Sequence, residues 1–105
     1  MTEMQLLEFL KQNHTGETKA VSSRELEADF EIKGSLVRKL VNSLRCGGYP
    51  VCSDQNGYYY AASSSELQIT IRQLSSRISK IAGAKNGLLR ARARWPDNGQ
   101  TTLPV

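Results

Sequence analysis

Asn56-Gly57 stands between two short β-prone runs, PVCS at 50–53 and YYYAA at 58–62. Asn-Gly occupies the positive-φ positions of a type I′ turn without strain, which makes it the strongest short-range hairpin signal a sequence offers. A compact, aromatic, weakly charged hairpin is therefore expected in the middle of the chain. It follows directly on a segment of helical period that stops at Gly47-Gly48.

Three helical segments precede it. TEMQLLEFLKQN opens with a capping-box pair, Thr2 with Gln5, and gathers Leu6, Leu7, Phe9 and Leu10 on a broad apolar face. HTGETKAV breaks that period with Gly16 and small polar residues, predicting a solvent-facing loop in which KAV forms a short strand. In VSSRELEADF, Ser22 and Glu25 form a second capping box, with Val21 placed to staple onto Leu26; Leu26 and Phe30, four apart, face the core. After EIKG, the segment SLVRKLVNSLRCGG sets Val37, Val41 and Leu44 on one helical face and ends at the glycine pair.

Beyond the hairpin, Ser63 with Glu66 marks a third capping box and a long helix over 63–91. Leu67, Ile71, Leu74, Ile78 and Ile81 recur at spacings of 4, 3, 4 and 3, the seam of a short coiled coil and a candidate dimerisation element. The same stripe would equally serve a helix packed across the first helix of its own domain. Residues 92–105, with no period and with Pro, Asn, Gly and Thr toward the end, are expected to form a flexible tail.

A chain of 105 residues is expected to build one small domain with a thin core. Residues 1–45 carry seven Lys/Arg against seven Asp/Glu and residues 46–105 seven against three, so the net charge of +4 sits in the second half. No signal-like apolar stretch lies near Met1 and no apolar run approaches a membrane span, which points to a cytoplasmic location with Cys46 and Cys52 as free, buried or half-buried thiols. Cys-x5-Cys lacks zinc spacing and His14 is the sole histidine, so neither a metal, a cofactor nor a nucleophile with its base is expected, and the reading is of a non-enzyme.

The segment VSSRELEADFEIKGSLVRKLVNSLRCGGYPVCSDQNGYYYA resembles the winged helix-turn-helix DNA-binding domains, of the kind that opens the biotin repressor and occurs in many small bacterial and phage regulators. The resemblance implies an α+β, mostly helical fold: three helices and a β-hairpin wing over 1–62, then the long C-terminal helix. Such domains often carry Gly where Glu31 stands and a small cap such as Ser where Lys33 stands. The turn here is therefore expected to be differently shaped, with Gly34 or Ser35 taking part in the cap.

The resemblance further implies double-stranded DNA as partner, read by the helix over 34–46. Ser35, Leu36, Arg38, Lys39, Asn42 and Arg45 point away from its core face, and Ser35, Arg38, Lys39 and Asn42 are the expected base-proximal residues, since Arg and Lys suit guanine edges or phosphates and Asn suits adenine. Arg24, in the first turn of the second helix, is placed for a phosphate. Gln55 and Asn56 are the wing-tip candidates, beside an Asp54 that repels phosphate. Tyr49, Tyr58 and Tyr60 serve either wing packing or base stacking. The expected role is a transcriptional regulator, or an accessory protein in phage or mobile-element DNA transactions, acting as a homodimer through the C-terminal helix. The competing reading is an assembly module that uses the same fold and long helix without touching DNA.

Overall fold

The computed structural model of the chain describes residues 1–95. Thr2 opens helix α1 (Glu3–Asn13): its hydroxyl accepts from the Gln5 amide, and Gln5 Oε1 accepts from the Thr2 amide at 2.8 Å, closing the predicted box. Leu6, Leu7 and Leu10 of its apolar face are buried and Phe9 is partly so. Helix α2 (Ser23–Phe30) starts at Ser22, whose Oγ accepts from the Glu25 amide at 3.1 Å. Leu26 is buried beside Val21, and Phe30 meets Phe9 edge-on with ring centroids 4.9 Å apart.

The turn after α2 departs from expectation. It keeps a left-handed residue, and Glu31 itself takes that conformation at φ 54°, ψ 48°. A non-glycine residue there costs about 1–2 kcal/mol. The amides of Glu31 and Ile32 both reach the Glu27 carbonyl, and Phe30 and Ile32 pack on the core at either side of Glu31, so the turn is imposed by its surroundings. Neither Gly34 nor Ser35 caps helix α3 (Gly34–Cys46): Lys33 is the N-cap, through its backbone alone. An added Cβ on Gly34 would lie 3.1 Å from Glu27 Oε2, which also accepts from Ser23 Oγ at 3.0 Å. A carboxylate thus stands beside the start of α3, where the helix dipole favours negative charge. Val37, Val41 and Leu44 are buried as predicted, and Ser43 Oγ donates to the Glu3 carboxylate, tying α3 to α1.

Strands β1 (Val51–Asp54) and β2 (Gly57–Tyr60) form the antiparallel hairpin in register Val51↔Tyr60 to Asp54↔Gly57. Its turn is Gln55-Asn56, one residue earlier than predicted, and Asn56 does not adopt positive φ. Asp54 Oδ1 holds it by accepting from the Asn56 amide at 2.8 Å. Gly57, at φ 132°, serves a contact instead: a Cβ there would sit 2.0 Å from the Val21 carbonyl oxygen.

The backbone of Val21 runs against β2, exchanging hydrogen bonds with Tyr58 at 2.9 and 2.8 Å. Further along, Gly16 donates to the Tyr60 carbonyl and Tyr60 to that of His14, both at 2.8 Å. The strand predicted at 19–21 is reduced to isolated bridges at Thr15 and Val21. The reason is a 3₁₀ turn, Glu17–Lys19, in which the amides of Lys19 and Ala20 bond locally and only Val21 is left to pair. The loop is only partly solvent-facing, because Gly16 and Val21 are buried.

Helix α4 (Ser64–Ala93) runs unbroken through Gly83 and Gly87 and ends two residues later than predicted, absorbing Arg92 and Ala93 from the expected tail. Arg94 and Trp95 follow in a turn, and the part of that tail from residue 96 lies outside the described residues. The chain divides into two compact units, Met1–Arg72 and Gln73–Val105, so the division falls inside α4. Two side chains fix the opening turns of α4 within the first unit. The Glu66 carboxylate accepts from the Ala62 amide at 2.7 Å and the Glu17 amide at 3.0 Å; Thr70, 5% exposed, accepts from the Ser53 amide at 3.4 Å. The protein is thus mostly helical, with a two-stranded sheet and a long C-terminal helix. Among the described residues no helix is long and apolar enough to cross a membrane.

Candidate nucleic-acid interface

Burial of Val37, Val41 and Leu44 decides which side of α3 faces water. Ser35, Arg38, Lys39 and Asn42, spaced 3, 1 and 3 apart, share the opposite side, and all four are exposed. Among the described residues, Arg38 and Lys39 make no ion pair or side-chain hydrogen bond, so both charges are available to a ligand. Cys46, one turn beyond Asn42, extends the same side and is an exposed free thiol, where a buried or half-buried one was expected.

Arg45 occupies a different position. It is half-buried on the flank of α3, with Nε donating to the Val51 carbonyl at 2.8 Å and Nη2 to Ser53 Oγ at 2.9 Å. Periodicity pointed it outward; the length of its side chain lets it reach back and brace the end of α3 against β1. Arg24 is exposed as the second residue of α2, and Gln55 and Asn56 are exposed at the hairpin tip. The structure therefore gathers four predicted residues on one helix face. It leaves Arg24 and the tip residues on two other elements of the same unit.

The hairpin aromatics divide between packing and exposure. Tyr59 is buried, Tyr58 and Tyr60 pack against the core, and only Tyr49 is substantially open to water. Burial raises the Tyr59 hydroxyl above its ordinary value, and burial likewise raises the Cys52 thiol, against opposing hydrogen bonding from Thr70. Cys52 is thus a neutral, inert core residue. Thr70 touches both groups and the Ser53 amide. No local pattern marks it; only its burial does.

Two other surfaces stand out. On α4, Leu67 and Leu74 are half-buried, while Ile71 is 51%, Ile78 67% and Ile81 64% exposed. Leu88, seven residues after Ile81 and not among the predicted seam residues, is 72% exposed. On the outer side of α1, Met1, Met4, Phe9 and Phe30 line an open groove rimmed by Gln5 and Glu8. Among the described residues, no three of His, Cys, Asp and Glu come together as a metal site. No family model, curated protein or solved structure matches the chain.

Proposed function

We propose that the chain is a winged helix-turn-helix protein that binds double-stranded DNA with the outer face of α3. One observation carries this reading: the exposed, uncommitted stripe of Ser35, Arg38, Lys39 and Asn42 on a helix whose opposite face is wholly buried. The setting supports it, since α3 follows a short helix and a left-handed turn and is followed by a hairpin.

In this reading the stripe enters the major groove. Arg38 and Lys39 address guanine edges or phosphates, Asn42 an adenine edge, and Ser35 a base or phosphate near the helix start. Arg24 meets a phosphate beside the N-terminus of α2. Gln55 and Asn56 approach the flanking duplex without a cation at the tip. Arg45 acts as a brace that fixes the hairpin relative to α3. Residues 1–72 carry eight Lys/Arg against nine Asp/Glu, so placement of cations, not net charge, directs binding. With Arg24, Arg38 and Lys39 as phosphate contacts, the logarithmic salt slope is about −3. Occupying a duplex site in this way suits a cytoplasmic transcriptional regulator or an accessory protein in phage or mobile-element DNA transactions.

The test is an anisotropy titration against a labelled pool of genomic duplexes at two salt concentrations. Binding that weakens with salt and falls by about 100-fold in the Arg38→Ala, Lys39→Ala double variant is expected, from two contacts of about 1–3 kcal/mol each. Absence of binding at low salt would overturn the reading. The exposed stripe on α4 supports a second one, in which the protein assembles with another chain.

A further inference from the structure

The second compact unit consists, over its described residues, of the outer part of α4 and a closing turn, and none of its residues over 73–95 is buried. Most of a helix's stability in a protein comes from packing of an amphipathic face, and Gly83 and Gly87 weaken this one intrinsically. Leu74, Ile78, Ile81 and Leu88 nevertheless fall on two interleaved series of period seven, Leu74, Ile81 and Leu88, and Ile78, Lys85 and Arg92, with Leu89 off both. The first is aliphatic throughout; the second turns cationic after one position. Large aliphatics exposed on one stripe, with cations inside that stripe, mark a seam whose cover must supply both apolar and negative groups.

Charge decides what that cover is. Residues 73–95 hold Arg77, Lys80, Lys85, Arg90, Arg92 and Arg94 and no Asp or Glu. A second copy in parallel register would set Lys85 on Lys85 and Arg92 on Arg92. An antiparallel copy overlapping the same span would still bring together six cations per chain with no carboxylate within 73–95 to pair them. An apolar membrane surface suits the helix poorly, because Lys85 and Arg92 interrupt the stripe that would have to enter it. We propose that the outer part of α4 docks an acidic amphipathic helix of another protein, with Leu or Ile against Leu74, Ile78, Ile81 and Leu88 and Glu or Asp against Lys85 and Arg92. This inference stands apart from the DNA-binding reading, since it uses none of the residues of α3.

The probe is a synthetic four-heptad peptide with a Leu seam, Glu at the two seam positions facing Lys85 and Arg92, and Glu flanking it. A second peptide carries Lys in place of every Glu. Each is titrated against the full chain by anisotropy, with sedimentation of the chain alone in parallel. The acidic peptide is expected to bind and the Lys peptide not to. Affinity should fall about tenfold or more in Ile78→Ser, Ile81→Ser. Lys85→Glu, Arg92→Glu should weaken binding of the acidic peptide and raise affinity for the Lys peptide, which a merely unfolded helix would not do. Equal binding of both peptides, or of neither, overturns the proposal. So does self-association of the chain that Ile78→Ser, Ile81→Ser abolishes, which would make the occupant a second copy, or preference for phosphatidylserine vesicles over the acidic peptide. Duplex affinity should be unchanged in all these variants, so failure here is distinguishable from failure of the DNA reading.

Discussion

Val37, Val41 and Leu44 of α3 recur at spacings of four and three and are buried; Ile78 and Ile81 of α4 sit in a stripe of the same spacing and are largely exposed. Both helices announce an apolar face with equal clarity, yet only α3 has that face covered, by α1, α2 and the hairpin. Periodicity identifies which side of a helix avoids water. It does not identify what covers that side, because the cover is supplied by residues elsewhere in this chain or in another.

Substitutions matched between the two units put this contrast to the test, and the largest effect is expected where backbone meets backbone. Gly57→Ala would drive a Cβ into the Val21 carbonyl at an already unfavourable φ, costing more than about 4 kcal/mol and unfolding the first unit. Gly83→Ala meets no atom within 4 Å and should raise helicity, by about 1 kcal/mol. Circular dichroism melts of the two variants check both signs. Next in size, Leu44→Ala should cost about 2–5 kcal/mol in urea unfolding, whereas Ile81→Ala should change stability by less than about 0.5 kcal/mol. A comparable loss for Ile81→Ala would erase the contrast.

Relief of strain is smaller and opposite in sign. Glu31→Gly should stabilise the first unit by about 0.5–1 kcal/mol, the left-handed penalty less the added freedom of the unfolded chain, visible as a raised melting temperature. The mildest effect is expected from pH. Cys52 and Tyr59 hold their protons more tightly folded than unfolded, so their contribution is complete below the ordinary values of 9.0 and 10.0. It is lost as pH rises beyond them toward the folded values. Melting temperature should decline from about pH 9 upward, and Cys52→Ala should remove the earlier part of that decline.

What could be read in advance was local. Thr2 with Gln5 closes both halves of its box, whereas at Ser22 and Ser63 only the hydroxyl half of the predicted box forms, to the Glu25 and Glu66 amides. The outer face of α3 follows from its period in the same way. What could not be read was set at a distance. Gly57 looked like a turn residue, but its requirement comes from Val21. Arg45 looked outward until β1 lay beside it. Glu31 lacked the expected glycine, and the shape of the turn was kept by the packing of Phe30 and Ile32. Thr70 and the second carboxylate oxygen of Glu66 gain their roles only once the hairpin and the 3₁₀ turn are in place.

The pairing of the 14–21 segment with β2 also constrains when the first unit can close during synthesis. Gly16 bonds to Tyr60, 44 positions further on, and Val21 to Tyr58. A nascent chain that has reached only the end of α3 holds three helices whose connecting segment has no strand to pair with. Closure waits for the hairpin to leave the ribosome, so α1, α2 and α3 spend that interval with their shared apolar surface incompletely covered.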